Sequence, residues 1–180
     1  MNRMRFKRSE RIVFMTQYLM NHPNEVVPLT FFVDKFKQAK SSISEDVQII
    51  RETFLKEGLG VVKTVAGASG GVTYKPKMGT EEARKVVDEV IDRLQEKDRL
   101  LPGGYLFLSD LMGNPALLNK IGKLMATLYM DEDLDAVVTI ATKGISLGNA
   151  VANILNLPVV VIRKDNKVTE GSTVSINYVS

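Results

Sequence analysis

Two short, predominantly apolar runs, Ala136 to Ile140 and Leu157 to Ile162, bracket a helical pattern from Ile145 to Leu155 and leave little choice of fold. A strand that is apolar at successive positions, not at alternate ones, is written to be buried on both faces. Two such strands joined through a helix form a βαβ unit: a parallel sheet with a right-handed crossover. The turn between the first strand and the helix is Ala141-Thr142-Lys143-Gly144. Ligands of open parallel sheets bind at the carboxyl ends of the strands. A helix N-terminus there offers free amides and a partial positive charge to an anion, and Lys143 adds a full charge. A pyrophosphate-like group is the natural guest, although most glycine-containing turns of this kind bind nothing.

The rest of the back half fits the same class. Leu101-Pro102-Gly103-Gly104 opens it, and Tyr105 to Leu108 reads as a short strand. Pro115 to Tyr129 is a helix with Leu118, Ile121, Leu124 and Leu128 as its apolar face. Before it, Pro76 and Gly79 punctuate a break, and Glu81 to Lys97 is a polar connector helix with Val86, Val87, Val90, Ile91 and Leu94 on one side. The division falls at 1–76 and 77–180.

The front half carries three helical patterns and a hairpin. The first begins at Ser9 as N-cap, with Ile12, Met15 and Leu19 at helical spacing, and stops at Asn21-His22-Pro23. The second spans Thr30 to Gln38, with Phe31, Phe32 and Phe36 as core. The third begins at Ser42, which pairs with Glu45 as a Ser-x-x-Glu capping box. Ile43, Val47, Ile50 and Phe54 form its buried stripe, and Gly58 stops it. Val61 to Val65 and Val72 to Lys75 flank the loop Ala66-Gly67-Ala68-Ser69-Gly70-Gly71 and read as a hairpin. Three helices followed by a hairpin is the winged-helix order.

Charge separates the halves. The chain of 180 residues has a net charge of +3. Residues 1–77 hold 13 basic against 7 acidic side chains, and residues 78–180 hold 11 against 14. A basic front has the footprint of a polyanion binder. The outer stripe of the third helix is Ser44, Gln48 and Arg51, with Lys40, Ser41 and Ser42 at its entrance. These side chains suit base edges and phosphates. Arg3, Arg5, Lys7, Arg8 and Arg11 add phosphate-reaching charge near the first helix, and Lys63 and Ser69 belong to the wing. Any capped surface helix has a polar outer face, so DNA, a protein partner and RNA all remain open at this level.

Several function classes recede. Cys is absent, which excludes disulfides, thiolate metal sites and a cysteine nucleophile. The single histidine, His22, stands in a helix-ending turn, and Asp131, Glu132, Asp133 and Asp135 read as a solvated acidic loop, not a metal cluster. No metal ligands and no catalytic residues are expected. No apolar leader follows Met1, and the longest apolar runs are too short to cross a bilayer. A soluble cytoplasmic protein is the expectation.

The specific stretches Arg8-Ser9-Glu10-Arg11, Pro28-Leu29-Thr30-Phe31-Phe32, Ala39-Lys40-Ser41-Ser42-Ile43-Ser44-Glu45-Asp46, Gly67-Ala68-Ser69-Gly70-Gly71-Val72, Leu101-Pro102-Gly103-Gly104-Tyr105, Ala141-Thr142-Lys143-Gly144 and the run from Val161 to Ser180 resemble one family along the whole chain. That family is the purine operon repressor of Gram-positive bacteria. The resemblance implies a homodimer with a winged helix on operator DNA and a type I phosphoribosyltransferase domain that senses a ligand and is not an enzyme. Phosphoribosyl pyrophosphate, with magnesium, is implied as inducer, and guanosine tetraphosphate as its competitor. Thr142, Lys143 and Gly144 match the pyrophosphate loop, Lys164 and Lys167 match basic residues of a mobile loop, and Tyr105 matches a pocket-lining position. The family's ribose-phosphate loop does not appear before Ser180. The expectation is an α/β chain with an N-terminal winged helix-turn-helix domain and an incomplete parallel-sheet phosphoribosyltransferase-like domain. The rival reading is a purine phosphoribosyltransferase with an accessory domain.

Overall fold

The computed structural model describes residues 6–67, 70–165 and 173–176. Its first half is α1 (Arg8–Asn21), α2 (Leu29–Phe36), α3 (Lys40–Glu57) and an antiparallel pair, β1 (Val61–Val65) and β2 (Gly71–Lys75). This is the winged-helix order expected. The three helices and the hairpin share one core, in which Met15, Leu19, Phe32, Ile43 and Val72 are fully buried. Phe31 is partly exposed and leans on Tyr18. A third extended segment joins the wing: Val27 and Val72 exchange both backbone hydrogen bonds at 2.9 Å. Gly71 makes that approach possible, since a Cβ there would stand 2.1 Å from the Val27 carbonyl oxygen.

Two helix starts differ from expectation. Ser9 does not cap α1. The helix begins at Arg8, and the Lys7 backbone N–H at the N-cap donates to the Glu10 carboxylate at 2.7 Å. Ser42 and Glu45 form no capping box. The residue after α2, Lys37, turns left-handed (φ 53°), so the chain re-enters a helix after only two more residues, at Lys40. Ser42 therefore lies inside the first turn, and Glu45 is taken by Arg8.

The back half begins with α4 (Thr80–Leu94), shorter than expected because the chain tightens into a single 3-10 turn at Lys97–Arg99. Only Val86 of its apolar side is buried. Ion pairs hold it to the next long helix, Glu89 to Lys120 at 2.8 Å and Glu82 to Lys123 at 3.2 Å. The expected strand from Tyr105 to Leu108 shrinks to a two-residue hairpin, β3 (Leu100–Leu101) and β4 (Tyr105–Leu106), because α5 (Ser109–Met112) follows at once. Arg99, which sequence reasoning passed over, is buried and clamps that segment through Asp110 at 2.8 and 2.9 Å and Glu96 at 2.7 Å.

Then come α6 (Pro115–Tyr129), β5 (Val137–Ile140), α7 (Gly144–Leu155) and β6 (Val159–Ile162). Asn114 caps α6 through the Leu117 N–H at 3.1 Å, and Pro115 fits the first helical position. The buried side of α6 is rotated from the leucine face expected. Leu117, Leu118, Gly122 and Ala126 are buried, while Leu128 is 71% exposed. The cause is close contact: a Cβ on Gly122 would meet the Ala150 backbone of α7 at 2.8 Å. Strands β5 and β6 pair in parallel, Val137 opposite Val159 and Ile140 opposite Ile162. They are not buried on both faces. Helix α7 covers one face, but Val138 (60%), Ile140 (67%), Val160 (50%) and Ile162 (53%) stay exposed, because the described residues supply no second layer.

Candidate functional site

The polar surface of α3 is fixed from beneath. Asp46 is fully buried in the same helix, with its carboxylate oxygens 2.8 Å from the Arg11 guanidinium and 3.0 Å from Arg8 Nε. A buried charge is tolerated only when paired and hydrogen-bonded, so Asp46 locks α3 to α1. Sequence reasoning missed it. The signal was present: Asp46 stands three residues after Ile43 in the buried stripe, and an acid there requires basic partners. Arg8 and Arg11, read from sequence as phosphate contacts, spend their charge on this lock, although Arg8 remains half-exposed.

With the lock in place, Ser41, Ser44 and Gln48 point outward along α3, Ser42 is half-buried beside them, and Lys40 is exposed at the N-terminus. Ser44 Oγ donates to the Lys40 carbonyl at 2.9 Å. Arg51 joins helix to wing. It donates to Gln48 Oε1 at 3.0 Å and to the Thr64 hydroxyl of β1, next to exposed Lys63. A cleft of about 350 Å³ lies between the α3 entrance and the wing, lined by Pro28, Leu29, Thr30, Lys40 and Thr64 to Gly67 together with Gly70 and Gly71. The first turns of α2 and α3, neither capped by a side chain, border it. The structure thus brings Lys40, Ser41, Ser44, Gln48 and Arg51 to one surface that meets the wing at Thr64, while exposed Lys63, one residue before Thr64 on β1, faces the opposite side of the hairpin. Lys7 is exposed at the head of α1, while Arg5 and Ser69 lie outside the described residues.

The second group gathers at the carboxyl end of the small sheet. Ala141 N–H closes the end of β5 on the Ile162 carbonyl at 2.9 Å, and the Ala141–Thr142 peptide is cis. Thr142 and Lys143 are exposed, and α7 starts at Gly144 without a side-chain cap. Glycine is needed at 144 and 148: a Cβ at either would meet Thr139, at 2.5 and 2.9 Å. The Thr139 hydroxyl donates to the Gly144 carbonyl at 2.8 Å and fixes the bend. Because β5 and β6 run parallel, exposed Lys164 leaves the sheet at the same end. Lys143 Nζ donates to Ser109 Oγ at 2.6 Å, which ties the turn to the segment after exposed Tyr105. Lys167 lies outside the described residues. Free amides, one lysine on the turn and a second beside it suit an anion. Among the described residues, no group of three His, Cys, Asp or Glu side chains is placed to hold a metal.

At the joint between the halves, Lys75 Nζ meets the Met130 carbonyl at 2.8 Å and Asp131 at 3.0 Å, and Lys77 reaches Asp131 at 3.2 Å. These two ammonium groups hold the Asp131 carboxyl down at about 2, well below the ordinary 3.8. Among the described residues no helix is long and apolar enough to cross a membrane.

Comparison with known proteins places both halves. Residues 7–76 match the family model described as the bacterial purine repressor N-terminal domain, and residues 108–180 match the phosphoribosyl transferase domain. The purine biosynthesis transcriptional repressor of Bacillus subtilis (strain 168) is 54% identical over 98% of this chain and 62% of its own length. A probable purine biosynthesis transcriptional regulator of Streptococcus pneumoniae (serotype 4) is 49% identical over 98% of this chain and 64% of its own length. A purine biosynthesis transcriptional activator of Lactococcus lactis subsp. lactis is 45% identical over 97% and 64% respectively. The chain spans under two thirds of each of these relatives. Residues 7–76 are thus similar to a bacterial purine repressor N-terminal domain, and residues 108–180 to a phosphoribosyl transferase domain.

Proposed function

We propose that this chain is a ligand-regulated repressor of purine synthesis and transport genes in the cytoplasm, and not an enzyme. Its winged helix binds operator DNA as part of a homodimer. Phosphoribosyl pyrophosphate, carrying its own magnesium, docks its pyrophosphate on Thr142, Lys143 and Gly144, with Lys164, Lys167 and Tyr105 around it, and weakens DNA binding. Guanosine tetraphosphate competes for the same place. Magnesium binds through few carboxylates and substrate phosphates in such sites, which agrees with a turn that brings no acid cluster of its own.

The observation that carries the DNA reading is the continuous face of Lys40, Ser41, Ser44, Gln48 and Arg51, in which Arg51 bridges helix and wing, and Lys63 adds a further charge on the other side of the wing. The lysines hold phosphates and Gln48 reads base edges. Lys7, Arg5, Ser42 and Ser69 complete the contact, while Arg8 stays on Asp46 and Glu45. Repression, not activation, follows the name borne by the relative at 54% identity.

Two substitutions test it on a purine-gene promoter duplex and a scrambled duplex. Lys40→Ala weakens both alike and flattens the log-log salt slope by about 0.9. Gln48→Ala narrows the preference for the promoter, by about 1–3 kcal/mol. If neither substitution alters binding, the face serves a protein partner instead. The phosphoribosyl transferase match supports one rival, a purine phosphoribosyltransferase. Base-dependent release of pyrophosphate from phosphoribosyl pyrophosphate would establish it.

A further inference from the structure

Helix α7 is held at its two ends by different halves of the chain. Its N-terminus follows the Thr142–Gly144 turn. At its C-terminus the carbonyls of Ile154 and Leu155 accept hydrogen bonds from the Asn24 side-chain amide, at 3.1 Å each. The last carbonyls of a helix have no partner within it, so Asn24, in the turn between α1 and α2, supplies one from the other unit. One residue beyond α7, Asn156 donates to the Glu25 carboxylate at 2.8 Å.

The segment that Asn24 opens runs directly into the wing. The Asn24 backbone N–H donates to the Tyr74 carbonyl at 2.8 Å, and Val27 pairs with Val72 in both directions. A continuous set of bonds therefore leads from the ligand turn, along a rigid helix of about 18 Å, through Asn24 and Glu25, to β2. Around it the joint is loose. A cleft of about 380 Å³ opens between the halves beside Asn24, Lys75 and Leu157. The buried clusters of the two halves are separate, and polar bonds hold the halves together. Units joined through small polar contacts move relative to one another, so a displacement of α7 reaches the wing through few contacts.

We propose that α7 is the relay between the ligand turn and the DNA-binding unit, with Asn24 and Asn156 as its coupling residues. This rests on the function proposed above and assigns how the ligand acts there. A ligand that draws the N-terminus of α7 toward its pyrophosphate moves the whole helix, and the Asn24 and Asn156 bonds carry that movement to the wing.

The test is the double variant Asn24→Gly, Asn156→Gly. Both residues have left-handed backbones (φ 63° and 59°), which glycine adopts freely. The amides vanish without straining the chain. Promoter affinity is measured with and without phosphoribosyl pyrophosphate and magnesium, and ligand affinity by calorimetry. In the unaltered chain the ligand lowers DNA affinity by a factor on the order of 5–150. In the variant both affinities persist and that factor falls toward one. A variant that keeps the full factor overturns the relay. An unaltered chain that binds the promoter and ignores the ligand defeats the proposed function first, and the relay with it. Amide hydrogen exchange on the unaltered chain is independent of how the variant folds. Bound ligand must change protection at Asn24 to Val27 and at Ile154 to Leu157, and unchanged protection there also overturns the relay.

Discussion

The two halves bury their apolar residues by different means. The N-terminal unit closes on itself: three helices, a hairpin and the Val27 segment surround Phe32, Met15 and Leu19 until nothing of them is exposed. The second unit lays α7 on one side of a two-stranded sheet, with α6 packed against α7, and leaves valines and isoleucines on the other side half-bare. Apolar runs such as Ala136 to Ile140 record what a strand is suited to bury. They do not record whether the described residues provide the cover. Each unit also has one interaction that governs its helices: a buried ion pair in the first, and a glycine-to-backbone contact in the second.

The contrast is sharpest at Phe32. Phe32→Ala removes a fully buried ring and costs about 3–5 kcal/mol, read as a lower urea midpoint for the helical signal. A loss under about 1 kcal/mol would mean that the first core is not closed. Asp46→Ala is expected to cost a similar amount, about 3–5 kcal/mol, since Arg11 would keep a buried charge without its partner. A neutral outcome would show that α3 does not depend on the pair.

In the second unit, Gly122→Val forces α6 away from Ala150. Overpacking of this kind costs about 1–3 kcal/mol, which exceeds the gain of less than about 1 kcal/mol from replacing a helical glycine. Thermal unfolding followed by circular dichroism reads the net sign, and a stabilised variant would refute the close contact.

At the joint, the Asp131 carboxyl is held at about 2 by Lys75 and Lys77. A depressed carboxyl contributes stability that is complete above its ordinary range and fades as the pH falls toward about 2. Asp131→Asn should therefore lower the urea midpoint at pH 6, and the gap to the unaltered chain should close between about pH 4 and pH 2. A gap independent of pH would remove the ion pairs from the joint. The smallest effect belongs to the bare face of the sheet: Ile140→Thr changes stability by no more than about 0.5 kcal/mol. A loss comparable to that at Phe32 would show that Ile140 is covered after all.

Element types were legible in the sequence where pattern and burial agree. The stripe Ile43, Val47, Ile50, Phe54 is buried as its spacing requires, and Gly58 ends α3 in the left-handed conformation. The unit from β5 to β6 was equally plain. What failed were features set by tertiary contact. The start of α3 depends on the tight exit from α2, not on Ser42. The buried side of α6 follows the small residues Gly122 and Ala126, which periodicity ranks below leucine. On the candidate surfaces, sequence marked Lys40, Ser44, Gln48 and the Thr142–Gly144 turn. It did not reveal that Arg8 and Arg11 serve Asp46, or that Thr64 receives Arg51. Partners distant in sequence leave no local trace.

The most direct measurement is a salt titration of binding to a purine-gene promoter duplex and to its scrambled counterpart, with and without phosphoribosyl pyrophosphate. The expected result is preference for the promoter, a steep loss of affinity with salt at roughly −0.9 per neutralised phosphate on the log-log scale, and weaker binding when the ligand is present. Equal, salt-insensitive binding to both duplexes would contradict a DNA-reading surface on α3 and the wing.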